Sequence, residues 1–172
     1  MTRDEKENYI MREKEVQGAD TNLAESLTSA GYKENVANTS RGILTWEKDL
    51  VFTARIRGYA IDFDAEAKEG CIPTDSLLMS LPGCMAIDMV LFLRKMKAEI
   101  EKFEIETIGE RNPFPPKYFK AVHIKIRIAG KGLTTKKMDR AVSLSQEKYC
   151  SVYHSLRKDM DIKVSYVIEG NG

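Results

Sequence analysis

The most apolar run of the chain, Leu77 to Leu93, has a proline, a glycine and an aspartate inside it. A bilayer-spanning helix needs about 20 apolar residues, and this run is shorter and interrupted by Pro82, Gly83 and Asp88. Burial in the core of a folded domain is what remains. The wider segment Leu77 to Ile100 has a helical pattern, apolar on most faces at first. It then turns amphipathic, with Arg94, Lys95, Lys97 and Glu99 facing water. Thr74-Asp75-Ser76 supplies capping side chains just before it. Pro82 either kinks this helix or opens a second one from its first turn. The rest of the fold has to cover a helix of this kind.

Strand signals lie on both sides of it. Ile43–Trp46 and Leu50–Ile56 read as a pair, with Glu47-Lys48-Asp49 as the turn, and Tyr59–Asp64 alternates like a half-buried third strand. Beyond the helix, Phe103–Ile108 and Tyr118–Ile128 alternate cleanly. The loop between them holds three of the five prolines, Pro113, Pro115 and Pro116. Helical spacing returns over Thr134–Leu144 and Glu147–Leu156, and Asp161–Ile168 closes as a strand. The order β-β-β-α-β-β-α-β predicts an α+β fold with mostly antiparallel strands.

Charge narrows the partners. Lys and Arg number 27 against 26 Asp and Glu, so the basic excess expected of a nucleic-acid binder is missing. The balance is uneven: residues 1–40 carry five basic against eight acidic side chains, and 41–172 carry 22 against 18. The first 40 residues also hold few core formers, and read as an acidic extension, partly helical or mobile. Residues 41–172 read as the main domain. The mixed-charge start shows no apolar targeting segment, which predicts a cytoplasmic protein with neither membrane nor nucleic-acid partners.

Three cysteines, Cys71, Cys84 and Cys150, have no C-x-x-C spacing, which argues against a disulfide scaffold and a zinc ribbon. His123 and His154 offer no convincing metal site, and no bound cofactor is expected. Cys84 has two readings. If a helix begins at Pro82, the thiol sits in a first turn that favours the thiolate. If the helix runs through, it is a buried mid-helix thiol. Cys150 lies in a helical region among polar residues, and Cys71 reads as an incidental loop cysteine. A carboxylate at Asp88, one turn after Cys84 on an apolar helix, needs a partner.

Two stretches carry more than local pattern. Pro73-Thr74-Asp75-Ser76-Leu77-Leu78-Met79-Ser80-Leu81-Pro82-Gly83-Cys84 resembles the first-cysteine motif of the OsmC/Ohr superfamily, in which a proline stands eleven residues before the cysteine. Arg140 to Val152, around Cys150, resembles its second-cysteine motif. Ala86-Ile87-Asp88, Glu147-Lys148-Tyr149-Cys150-Ser151-Val152, Glu110-Arg111 with Pro115-Pro116 and Phe119, and the closing Ser165-Tyr166 are similar to the YhfA-like branch. The resemblance implies an OsmC-like fold, with antiparallel sheet wrapped around a long central helix in an intertwined homodimer. It also implies a thiol-dependent peroxidase that reduces organic hydroperoxides in oxidative-stress defence. Cys84 would become a sulfenic acid, Cys150 would form a disulfide with it, and an external dithiol such as a lipoyl group would reduce that bond.

The chain departs from the motif at Thr74, where the Ohr branch has a glutamate paired with an activating arginine. Asp75 is the neighbouring carboxylate, and Arg111, with Arg41, Arg55 and Arg57, is a candidate arginine. These departures leave a second reading open, a non-enzymatic stress-associated protein binding an apolar small molecule. That reading predicts an apolar cleft near Cys84 lined by residues such as Met79, Met85 and Phe119.

Overall fold

The computed structural model describes residues 38–170, so the helices expected in the first 40 residues lie outside the described residues. The chain divides after Pro73 into two compact units.

In the first unit, β1 (Gly42–Lys48), β2 (Val51–Ile56) and β3 (Tyr59–Asp64) form an antiparallel sheet in that order. The β1–β2 turn falls at Asp49-Leu50, one step later than the sequence suggested, with Asp49 at φ 41. Arg57 and Gly58 join β2 to β3 with φ of 49 and 77. Two successive positive φ values make the tight hairpin whose twist matches that of the flanking strands. After β3, the buried Asp64 carboxylate accepts the amide hydrogens of Glu66, Lys68 and Glu69 at 2.8, 2.9 and 2.9 Å. Those bonds hold its carboxyl below the ordinary value of 3.8. A carboxylate with a lowered folded-state pKa stabilises the fold above its unfolded value and loses that contribution as pH falls through the folded one. Acid unfolding followed by circular dichroism should therefore show Asp64→Asn to be less stable than the parent at pH 6, with the difference shrinking below about pH 4.

The second unit opens with α1 (Pro73–Lys95), a single helix that continues through Pro82. Its 23 residues exceed the apolar run, and by length and composition it could cross a membrane. Its buried face instead joins a core: Leu81, Met85, Met89 and Leu93, spaced four apart, cluster with Val122, Ile124, Ile126 and Ile128. The helix stops at Lys95, five residues before the expected end. Lys97 takes φ 59, Ala98 N–H bonds Leu93 C=O at 3.0 Å, and Lys97 N–H bonds Arg94 C=O at 2.9 Å. These are the paired bonds of a Schellman stop, with lysine in the place glycine usually takes.

The chain then enters β4 (Glu99–Arg111), β5 (Phe119–Lys131), α2 (Thr135–Leu144), a π-helical turn (Ser145–Tyr149), α3 (Ser151–Ser155) and β6 (Asp161–Glu169). β5 is the middle strand of the second sheet, antiparallel to β4 and parallel to β6. The parallel pairing follows from connectivity, because the helical crossover after β5 returns the chain in the same direction. Alternation along β5 buries Val122, Ile124, Ile126 and Ile128. It leaves His123, Lys125 and Arg127 exposed, with Lys125 bonded to Glu106 at 3.1 Å and Arg127 paired with Glu104. His123 is thus an ordinary surface strand residue. The fold is the α+β arrangement expected, and its strands stand in two three-stranded sheets.

Candidate active site

Because α1 is unbroken at Pro82, Cys84 stands in mid-helix and receives nothing from a helix N-terminus. It is nonetheless partly exposed, unlike the buried thiol that the mid-helix reading predicts. Asp88 follows at i+4, on the same helical face, and is 2% exposed.

Cys150 arrives from the crossover. After α2 the backbone widens into the π turn, which closes with Cys150 N–H to Ser145 C=O at 2.8 Å. Single π turns inside helices often accompany functional sites because they re-aim a side chain. Cys150 leaves this turn with extended dihedrals, φ −74 and ψ 100, and its Sγ accepts the Tyr153 N–H at 3.3 Å. The residue is completely buried. The Cys84 Sγ, the Cys150 Sγ and a carboxylate oxygen of Asp88 all lie within 4.8 Å of one another. Ser145 donates its hydroxyl to Asp88 Oδ2 at 3.0 Å, linking the π turn to α1 through two buried groups.

Burial pushes the Cys150 thiol up to about 12; the Tyr153 amide lowers it, and contact with Cys84 and the charge of Asp88 add to the rise. The two thiols are therefore unlike: one is partly accessible, the other dry and strongly protonated. All three cysteines are free. A closing movement of less than ~3 Å brings the paired sulfurs to the ~2.05 Å of a disulfide. The same three donor atoms begin a metal-binding set but leave a tetrahedral ion one ligand short.

Asp75 and Arg111 also meet. The guanidinium at the end of β4 donates to the Thr74 hydroxyl at 2.6 Å and to Asp75 Oδ1 at 3.3 Å. It stacks on the Phe119 ring, 4.3 Å from its centroid, and Phe119 in turn needs Gly109 beneath it: a Cβ there would come within 2.5 Å of the ring. The cluster anchors the start of α1. Asp75 lies nine residues before Cys84, ~13.5 Å along the helix axis at 1.5 Å per residue. Within the chain this pair fixes the helix rather than touching the thiol. Arg55 lies in β2, and Arg57, in the β2–β3 turn, donates to the Ser40 hydroxyl at 3.0 Å. Cys71 is held in the first unit by backbone bonds to Asp62 and Asp64.

Met85 is fully buried in the core and Met79 is 53% exposed. The apolar cavity beside Phe119, walled by Leu78, Leu81 and Leu156, has a volume of about 10 Å³. That is about one water molecule's worth of space. No local sequence pattern marks Ser145, whose partner Asp88 is 57 residues away.

Comparison with known proteins covers the same region. The family described as OsmC-like protein matches residues 65–165. The chain is 32% identical over 125 residues to protein YhfA of Escherichia coli K12, covering 72% of this chain and 93% of that one. Among solved structures, a hypothetical protein from Aquifex aeolicus VF5 superposes with a TM-score of 0.71 at 26% identity, over 77% of this chain and 98% of that one. An organic hydroperoxide resistance protein OsmC from Legionella pneumophila gives 0.55 at 14% identity, over 77% and 98%; at that identity the likeness is one of fold.

Proposed function

The chain belongs to the OsmC-like family, and from that premise we propose that it is a thiol-dependent peroxidase acting on organic hydroperoxides. The observation that carries this reading is the placing of one accessible and one buried thiol within 4.8 Å of each other. A hydroperoxide can approach Cys84 and not Cys150, which assigns their order. The Cys84 thiolate attacks the outer peroxide oxygen, the O–O bond breaks, and the alkoxide leaves as the alcohol with the proton the thiol gave up. The sulfur becomes a sulfenic acid. Cys150 then displaces its oxygen as water, giving a disulfide before further oxidation can occur. An external dithiol returns both thiols. A protein of the same fold, OsmC of Legionella pneumophila, is named for organic hydroperoxide resistance, and the substrate class is proposed by analogy with it.

The working unit in this reading is a homodimer in the cytoplasm, where thiols stay reduced between turnovers. Large apolar side chains stand exposed on the first sheet, with Trp46 at 63% and Tyr59 at 76%, as a face completed by a second copy would leave them. Light scattering should give twice the 19.5 kDa chain mass. The activity is tested by supplying tert-butyl hydroperoxide and dihydrolipoamide to the purified protein. Multiple turnovers are expected; consumption no faster than in the protein's absence would remove the reading.

A further inference from the structure

Peroxide reduction as described uses two sulfurs and leaves Asp88 and Ser145 without a part. Both are buried; an Asp88 carboxylate oxygen lies within 4.8 Å of both sulfurs, and Ser145 donates its hydroxyl to that carboxylate. A carboxylate in such a place is costly, so its position asks for a reason beyond packing. The resolving step supplies one. Cys150 is shut off from water, so bulk solvent cannot take its proton when it attacks.

We propose that the Asp88 carboxylate transfers the proton in disulfide formation, taking it from the Cys150 thiol and giving it to the oxygen leaving Cys84. This rests on the peroxidase reading above. In the step, the Cys150 S–H bond and the Cys84 S–O bond break, and the S–S bond forms. The sulfenic sulfur is reduced by the electron pair of Cys150, which is oxidised in turn, and the proton and hydroxide leave as water. Asp88 ends as it began, and no further reagent is consumed.

The geometry fits a carrier between two sites. A carboxylate oxygen of Asp88 lies within 4.8 Å of both the sulfur that loses the proton and the sulfur that bears the leaving oxygen. Among the groups facing it are Cys84 from its own helix, and Ser145 and Cys150 from the crossover segment. The Ser145 hydroxyl, donating to Oδ2, sets the orientation of the carboxylate and is a positioning group. A thiol held up to about 12 releases few protons unaided near neutrality, which is the condition under which such a carrier matters.

The experiment is single-turnover stopped flow on the reduced full-length protein with tert-butyl hydroperoxide. Dimedone trapping follows the Cys84 sulfenic acid, and quenched mass spectrometry follows the disulfide. In the wild type, the rate of disulfide formation should stay level between about pH 6 and 8, because Asp88 rather than hydroxide removes the proton. Asp88→Asn should still form the sulfenic acid, but should close the disulfide about 100-fold more slowly than the wild type, with a rate that rises tenfold per pH unit. A merely structural aspartate would not change that slope. The proposal falls if the wild-type rate already climbs tenfold per pH unit, a measurement that needs no variant to fold. It also falls if Asp88→Asn closes the disulfide within threefold of the wild type. Should the wild type form no sulfenic acid at all, the peroxidase reading itself fails, and the two failures are told apart by that first step.

Discussion

Cys84→Ser should reduce peroxide consumption at least about a thousandfold, the scale on which an enzyme loses rate when its nucleophile is removed. Serine keeps the size of the side chain on α1 and removes its chemistry, since a neutral hydroxyl does not open the O–O bond as a thiolate does. Fold and stability should be little changed, because position 84 is partly exposed and its side chain is not part of the fully buried set. Cys150→Ser should behave differently. Its Cys84 remains free to react once, but the resulting sulfenic acid has no partner within 4.8 Å to condense with. Under excess hydroperoxide it should climb to the sulfinic acid, seen as a gain of two oxygens on the peptide holding Cys84. Intact-mass kinetics of the two variants, run beside the parent, check both outcomes.

Ile126→Ala should cost about 2–5 kcal/mol of stability, a large part of the 5–15 kcal/mol that holds a typical domain folded. Ile126 is 1% exposed and lies in β5, the strand paired on both sides, opposite Ile105 and Tyr166. Its side chain belongs to the cluster that covers Met85 and Met89 of α1. Truncation there leaves a void that paired strands on either side cannot collapse to fill. Val167→Ala on β6, at a site 59% exposed, should change stability by no more than about 0.5 kcal/mol. Urea midpoints of the two variants make the comparison, and equal midpoints would contradict the assignment of the core.

Alternation marked Phe103–Ile108 of β4 and nearly all of β5, because exposed residues alternate with half-buried ones along β4 and with buried ones along β5. The same signal could not show that β6 runs parallel to β5, since direction is set by a crossover rather than by any residue in the strand. The end of α1 was misplaced for a local reason: Lys97 adopts a left-handed conformation that its side chain does not advertise, and a glycine there would have marked it. At the site, the two motif cysteines were legible by resemblance, and the structure brings their sulfurs together across 66 residues of sequence. Pro82 left two versions of Cys84 open, and only the continuous helix decides between them. Asp75 read as a cap or a substitute carboxylate and Arg111 as one of four candidate arginines; their contact lies at the foot of α1, a distance along the helix that residue types alone do not reveal. Ser145 and the π turn were invisible, because what makes them matter is a carboxylate on another element.

Whether Cys84 and Cys150 form one redox pair is tested directly by cross-link mapping. Reduced protein should be exposed to one equivalent of tert-butyl hydroperoxide, alkylated under denaturing conditions, digested and mapped by mass spectrometry. A single new cross-link should join the peptides that contain Cys84 and Cys150, with Cys71 alkylated as a free thiol. Cys84 recovered as a thiol after excess hydroperoxide, or a disulfide that includes Cys71 and omits Cys150, would contradict it.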